Sequence, residues 1–224
     1  MTLAQASAQP FIDWSWIADH SDDIYVRSIE HLQLTGAAVA IGLAISLPLA
    51  VYSYRHQWFY SPVTWVAGVL YTIPSLALFA FLLPYTGLRA RTALIGLVSY
   101  TLLILIRNIV AALDGVPTDV LEAARGMGYS RRQLLWRVEV PLALPVIMAG
   151  VRLATVTTIG LVTVAALIGR GGLGTFILLG MNRFFITATL VGSVLSVLLA
   201  VIADALLVRL ERRVAPWSER GLAT

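Results

Sequence analysis

The chain has 224 residues, 58% of them hydrophobic and 12% charged, with a mean hydropathy of +0.83. Soluble domains average about 45–50% apolar and about 25% charged residues, so a soluble globule, a disordered chain and a disulfide scaffold are poor fits and a membrane protein is indicated. Cys is absent and all sixteen basic residues are Arg, which removes thiolate chemistry, Schiff-base lysines and the phosphate-cradling Lys of a Walker A loop.

In chain order, Met1–Pro10 carries neither Arg nor an apolar core, so no cleavable signal peptide is expected there. Phe11–Glu30 contains Trp14, Trp16, Asp19, Asp22 and Asp23 and is expected to be a short interfacial helix with its indoles at headgroup depth. A membrane span needs about 20 mainly apolar residues. Five stretches qualify: Leu32–Tyr52, Pro62–Leu83, Thr92–Leu113, Leu144–Ile168 and Ile186–Val208. The expected fold is therefore an all-α membrane protein of about five transmembrane helices. Its parts are an external segment (1–30), a transmembrane domain (31–213) and a tail (214–224).

An odd span count puts the termini on opposite faces. Arg55, Arg125, Arg131, Arg132, Arg137, Arg209, Arg212, Arg213 and Arg220 share one face; Arg27, Arg89, Arg91, Arg170 and Arg183 share the other. Positive charge concentrates on the cytoplasmic side of membrane proteins, so the N-terminus is placed outside and the C-terminus inside. The same reading accounts for the net charge of +4 without nucleic acid. Pro48, Pro74 and Pro84 fall in or at the ends of apolar spans, where neighbouring helices must satisfy any freed backbone group. Gly36, Gly42, Gly68, Gly96, Gly150 and Gly160 are candidates for close helix approach.

The polar insertion 114–145 separates the third and fourth spans. Pro117 and Asp119 open a helix through Arg125, which Gly126 and Gly128 stop. Ser130 caps a second helix running through Arg137, expected to end before Pro141 because the residue preceding Pro disfavours helix. The product is a basic knuckle of two short helices projecting from the bundle into the cytoplasm. Its Leu134-Leu135-Trp136 run is expected to be exposed and to suit the cleft of a partner.

Glu122-Ala123-Ala124, then Gly128, then Val138-Glu139-Val140-Pro141 resembles the EAA loop of ABC importer permeases. Val138 and Val140 depart conservatively from that signature, which ends in Ile-x-Leu-Pro. The resemblance extends through Thr72–Leu78, Arg107-Asn108, Glu122–Gly150 and Ala165–Gly174 to permeases of osmoprotectant importers for glycine betaine, carnitine or choline. It implies that Glu122, Ala123, Ala124, Gly126, Gly128, Arg131 and Leu134 couple the chain to an ATPase. It further implies a pathway or gate near Tyr71, Pro74, Ser75, Gly171 and Gly172.

The implied partners are an ABC ATPase dimer carrying ATP and Mg, a second permease subunit (the same or a related chain), an extracytoplasmic substrate-binding protein and membrane lipid. This chain would carry no cofactor, metal or catalytic residue of its own, and would be a multi-pass protein of the cell membrane. ATP would close the ATPase pair, move the coupling loops and tilt the bundle from inward- to outward-facing.

Three further features need weighing. Gly169-Arg170-Gly171-Gly172-Leu173-Gly174 fits G-x-G-x-x-G, but a dinucleotide site needs that motif between a strand and a helix; here it follows an apolar span and reads as a tight external turn. Asp204, at membrane depth, calls for a partner, with Arg107 and Arg152 as candidates for an intramembrane ion pair. Tyr71, Phe79, Tyr85, Tyr100, Phe176, Phe184 and Phe185 are the aromatic faces available to a quaternary ammonium group. The rival readings are a permease for another solute such as methionine, and an ion-driven secondary transporter. The second would be expected to show inverted repeats or several intramembrane carboxylates. An intramembrane enzyme has no constellation, since His20, His31 and His56 are scattered.

Overall fold

A backbone inside lipid must satisfy its own polar groups, which leaves helices for runs of this length and apolarity. A computed structural model of the chain describes residues 11–217, and no strand occurs among them. The helices are α1 (Trp14–Asp19), α2 (Ser21–Arg55), α3 (Gln57–Thr72), α4 (Ser75–Thr86) and α5 (Ala90–Asp114). The polar insertion holds α6 (Thr118–Gly126) and α7 (Arg131–Leu134), and a π turn, Leu135–Glu139, joins α7 to α8 (Val140–Val164). A 3-10 turn, Ala165–Ile168, leads to α9 (Gly174–Arg183) and α10 (Ile186–Val214). Expectations that concern Met1–Pro10, residues 218–224 and Arg220 lie outside the described residues.

α2, α5, α10 and the continuous run Arg131–Ile168 are each long and apolar enough to cross a membrane. The expected second span is not one helix: α3 and α4 meet at 95°. Pro74 cannot continue α3 and becomes the residue before α4. The break leaves the Ile73 carbonyl without a helical partner, and the Tyr100 hydroxyl of α5 donates to it. The pair counts as a fifth span only in its broken form.

Two other boundaries differ from expectation. The second half of the predicted interfacial segment is the beginning of α2, where Asp22 and Asp23 occupy the first turn and complement the positive helix end. The ring of Trp16 stacks on His20 at 4.3 Å and meets Phe185 edge-on at 5.3 Å. At the other face, the helix begun at Arg131 does not stop before Pro141. Val140 is helical, with φ −61° and ψ −47°. The wider π turn just upstream takes up the irregularity that the Pro ring imposes.

α5 is the centre of the bundle, packed by α2, α8, α3 and α4, while α10 leans on α8 and α9. In its most apolar stretch α5 is 56% buried and α10 only 11%, so the open side of the bundle is the α10 side. Gly42 faces Thr101, Gly96 faces the Phe79 ring and Gly150 faces Asn108, each too close for a Cβ; Gly36, Gly68 and Gly160 meet no atom within 4 Å. Half of the expected small-residue positions thus serve packing within this chain. Two apolar clusters fill the interior. One, around Leu97, Phe79 and Ile168, lies toward the outer face; the other, around Leu105, Ile109 and Ile147, continues into the knuckle.

Candidate functional site

The knuckle is built by local rules. Gly128 is left-handed at φ +84°, a conformation glycine adopts without steric cost. Around it the Tyr129 N–H donates to the Ala124 carbonyl at 3.2 Å and the Gly128 N–H to the Arg125 carbonyl at 2.9 Å. These are the two bonds of a Schellman helix stop. Two residues later Ser130 opens α7: its Oγ accepts from the Gln133 N–H at 3.4 Å, and the Gln133 side-chain oxygen accepts from the Ser130 N–H at 2.8 Å. This reciprocal pair is a capping box. The angle between the two helices is therefore fixed by hydrogen bonds between residues 124 and 133.

Leu121 and Ala124 on α6, with Leu134 and Leu135 beyond the turn, sit in the apolar cluster. Each buried Leu contributes about 1.5–3 kcal/mol, enough to fasten a short polar element to the bundle. Leu134 and Leu135 are thus not part of an exposed docking run, because the helix rotates them inward; only Trp136, 53% exposed, faces out. Glu122, Ala123, Arg125, Gly126, Met127, Gly128, Arg131 and Arg132 are exposed. Six of the seven coupling candidates divide accordingly: Glu122, Ala123, Gly126, Gly128 and Arg131 form the surface and Ala124 the anchor. The seventh, Leu134, joins Ala124 as an anchor.

The pathway candidates fall into two places. Tyr71 and Pro74 are exposed and Ser75 partly so at the α3–α4 break, where the Tyr71 ring meets the Tyr100 ring edge-on at 5.8 Å. Gly171 and Gly172 are buried instead. A Cβ on Gly171 would lie 2.2 Å from the Ala166 nitrogen, and one on Gly172 2.6 Å from the His31 Cβ. These glycines are seats for the outer end of α2 and for the 3-10 turn. Of the aromatic residues, Phe79, Tyr100 and Phe176 are core, whereas Tyr85 and Phe184 are open. The outer turn is also tied by charge, with Glu30 facing Arg27 at 2.7 Å and Arg170 at 3.9 Å. Nearby, Asp13 starts α1, and donation from the Ser15 hydroxyl and the Trp16 N–H holds its carboxyl below the usual range.

Asp204 pairs with Arg152, not Arg107. The guanidinium reaches the carboxylate twice, Nε–Oδ1 at 2.8 Å and Nη2–Oδ2 at 3.2 Å, a forked geometry. Glu211, two turns further along the same face of α10 and missed in the sequence, adds Nη1–Oε2 at 3.5 Å. Arg107, on α5 rather than α8, joins no ion pair among the described residues. Sequence reasoning also passed over Glu139, which is buried beneath the knuckle; alone among the Glu residues it sits in a strongly apolar stretch between two Val.

The described residues form a helix bundle with a broken span and a basic, hydrogen-bonded knuckle between α5 and α8. The family model for the binding-protein-dependent transport system inner membrane component matches residues 38–216, and the chain belongs to this family. It is 38% identical over 206 residues, covering 90% of this chain and 96% of the relative, to the osmoprotectant import permease protein OsmW of Salmonella typhimurium. It is 33% identical to the glycine betaine/carnitine/choline transport system permease protein OpuCB of Bacillus subtilis, covering 93% and 96% of the two chains. In fold it is similar to a chain of the inward-facing MetNI methionine ABC transporter, with a TM-score of 0.75, 24% identity, and coverage of 85% and 95%.

Proposed function

We propose that the chain is the membrane-spanning subunit of an ATP-driven importer for quaternary-amine osmoprotectants, the class containing glycine betaine, carnitine and choline. The observation that carries this reading is the knuckle: a hydrogen-bonded turn that holds Glu122, Ala123 and Arg131 exposed while Leu121, Ala124 and Leu134 anchor it in the bundle. An element of that construction moves as a unit with α5 and α8. A separate ATPase subunit, bearing ATP and Mg, would grip it. The binding of each of two ATPase subunits to one knuckle calls for a second permease, the same or a related chain. The substrate class is supported by the names of the permease relatives at 33–38% identity over nine-tenths of the chain.

Recognition of the cargo would fall mainly to an extracytoplasmic binding protein. Within the chain, the exposed Tyr71 ring at the α3–α4 break, braced edge-on by the buried Tyr100, offers a π face that attracts a methylated ammonium. The second reading, a permease for methionine, is favoured only by the fold shared with the methionine transporter chain.

The test is purification in detergent with identification of co-purifying chains, followed by uptake in proteoliposomes. The expected result is a complex with a Walker A ATPase that imports labelled glycine betaine, carnitine or choline and ignores methionine. Uptake of methionine in their place would move the assignment to the second reading. Import under an ion gradient with no ATPase present would overturn both.

A further inference from the structure

The cytoplasmic end of α2 is fastened to the knuckle by a charge pair that the docking surface does not use. Glu139 belongs to the π turn between α7 and α8, and its side chain is only 4% exposed. A carboxylate so placed is strongly unfavourable unless a cation faces it. Arg55, the last residue of α2, sets Nη2 at 3.9 Å from Glu139 Oε2. The same nitrogen donates to the Arg131 carbonyl of the knuckle at 2.8 Å, and the Tyr54 hydroxyl donates to Glu139 Oε1 at 3.5 Å. One guanidinium thus bonds the backbone at the start of α7 and faces the buried carboxylate at the end of the π turn.

Glu139 Oε2 accepts no hydrogen bond. It borders a cavity of about 560 Å³ lined also by Tyr54, Arg55, Arg125, Tyr129 and Arg131. The charge pair itself therefore meets across open space, so the two side chains have room to shift while they stay engaged.

The far end of α2 has its own seat. Gly172 of the outer turn lies against Arg27 and His31, so closely that a Cβ would come within 2.8 Å of the Arg27 carbonyl. From His31 to Arg55 the helix is uninterrupted and about 36 Å long at 1.5 Å per residue. No covalent segment joins the knuckle to α2: the chain leaves the knuckle through α5 and α8. Arg55 adds a polar connection to the apolar cluster that Ala50, Val51 and Tyr54 of α2 share with Leu134 and Leu135.

We propose that Arg55 and Glu139 form a latch that carries displacement of the knuckle into α2, and through α2 to the outer glycine turn. Glu139 and Arg55 are positioning residues in this scheme: they touch neither cargo nor nucleotide. The latch rests on the coupling role assigned to the knuckle above.

The experiment uses the complete transporter, with its ATPase and binding protein, in proteoliposomes, and reads labelled substrate imported per ATP hydrolysed. Glu139→Gln and Arg55→Gln are each expected to lower that ratio about tenfold with assembly and maximal hydrolysis unchanged. The double variant is expected to be no worse than either single one, because both remove the same contact. Arg55→Lys, which keeps the cation, should retain at least half of the wild-type ratio. A loss that scales with the amount of assembled complex would reveal a purely structural role and overturn the proposal. So would a wild-type ratio in Arg55→Gln, a variant that reads the pair even where Glu139→Gln fails to assemble. A wild-type complex that hydrolyses ATP without import would instead sink the coupling reading on which the latch stands.

Discussion

The knuckle turns at Gly126 and Gly128, where an added Cβ would meet nothing within 4 Å, whereas the outer turn at Gly171, Gly172 and Gly174 is closed against protein atoms at all three positions. In the knuckle, glycine supplies a backbone conformation and leaves the surface open for another chain. In the outer turn it supplies the absence of a side chain, so that a loop can be seated on two helices. The same residue type is exposed where a partner is expected and buried where the chain must hold itself together. Substitutions should accordingly separate assembly from coupling.

The largest effect is expected at the outer turn. Gly172→Val adds atoms within 2.8 Å of the Arg27 carbonyl and of both His31 Cα and Cβ, at a residue already left-handed at φ +49°. Overpacking of this kind costs about 1–3 kcal/mol, and the left-handed backbone adds about 1–2 kcal/mol for a residue bearing a Cβ. Little folded protein should accumulate, as monitored by monodisperse recovery in size-exclusion chromatography. Normal recovery would mean that the outer turn can leave its seat freely.

The knuckle should give the complementary result. Gly128→Asp places a short polar side chain in open space, in a conformation that Asp adopts more readily than most residues. Folding and membrane insertion are expected to be unchanged while uptake falls more than a hundredfold. Glu122→Lys, which reverses an exposed charge on the same surface, should act likewise. Immunoblotting of membranes alongside labelled uptake decides the matter: wild-type uptake by both variants would remove the knuckle from the coupling route.

The two regions also differ in how much of them the sequence discloses. The knuckle's turn is written in neighbours: Gly128 with Ala124 and Arg125, Ser130 with Gln133. Short-range spacing therefore placed the helix stop and the cap. It misplaced Leu134 and Leu135, whose direction depends on a π turn that no local pattern announces. The outer turn is written in pairs far apart, His31 with Gly172 and Glu30 with Arg170, so the seat that its glycines form was not legible in the sequence. The break at Pro74 was legible as a proline in an apolar run. Its sharpness was not, because the group that accepts the consequence is the Tyr100 hydroxyl on the next span. The Arg152–Asp204 pair was legible as a charge needing a partner at depth, and geometry alone chose Arg152 over Arg107.

The smallest expected effect asks whether the knuckle must be rigid or merely well shaped. Ser130→Ala deletes one half of the capping box, a loss of about 1 kcal/mol. An opening equilibrium should then rise about fivefold, seen as faster amide hydrogen exchange over residues 131–134. The helix cannot unwind far, because Leu134 and Leu135 remain buried and the run continues through the π turn into α8. Uptake should stay within about twofold of wild type, since Glu122, Ala123 and Arg131 keep their exposure. A loss of uptake comparable to that of Gly128→Asp, with only this local loosening, would shift the requirement from the chemistry of the knuckle's surface to its stiffness. An open turn would then transmit force only while capped, and the contrast with the seated outer turn would be one of degree.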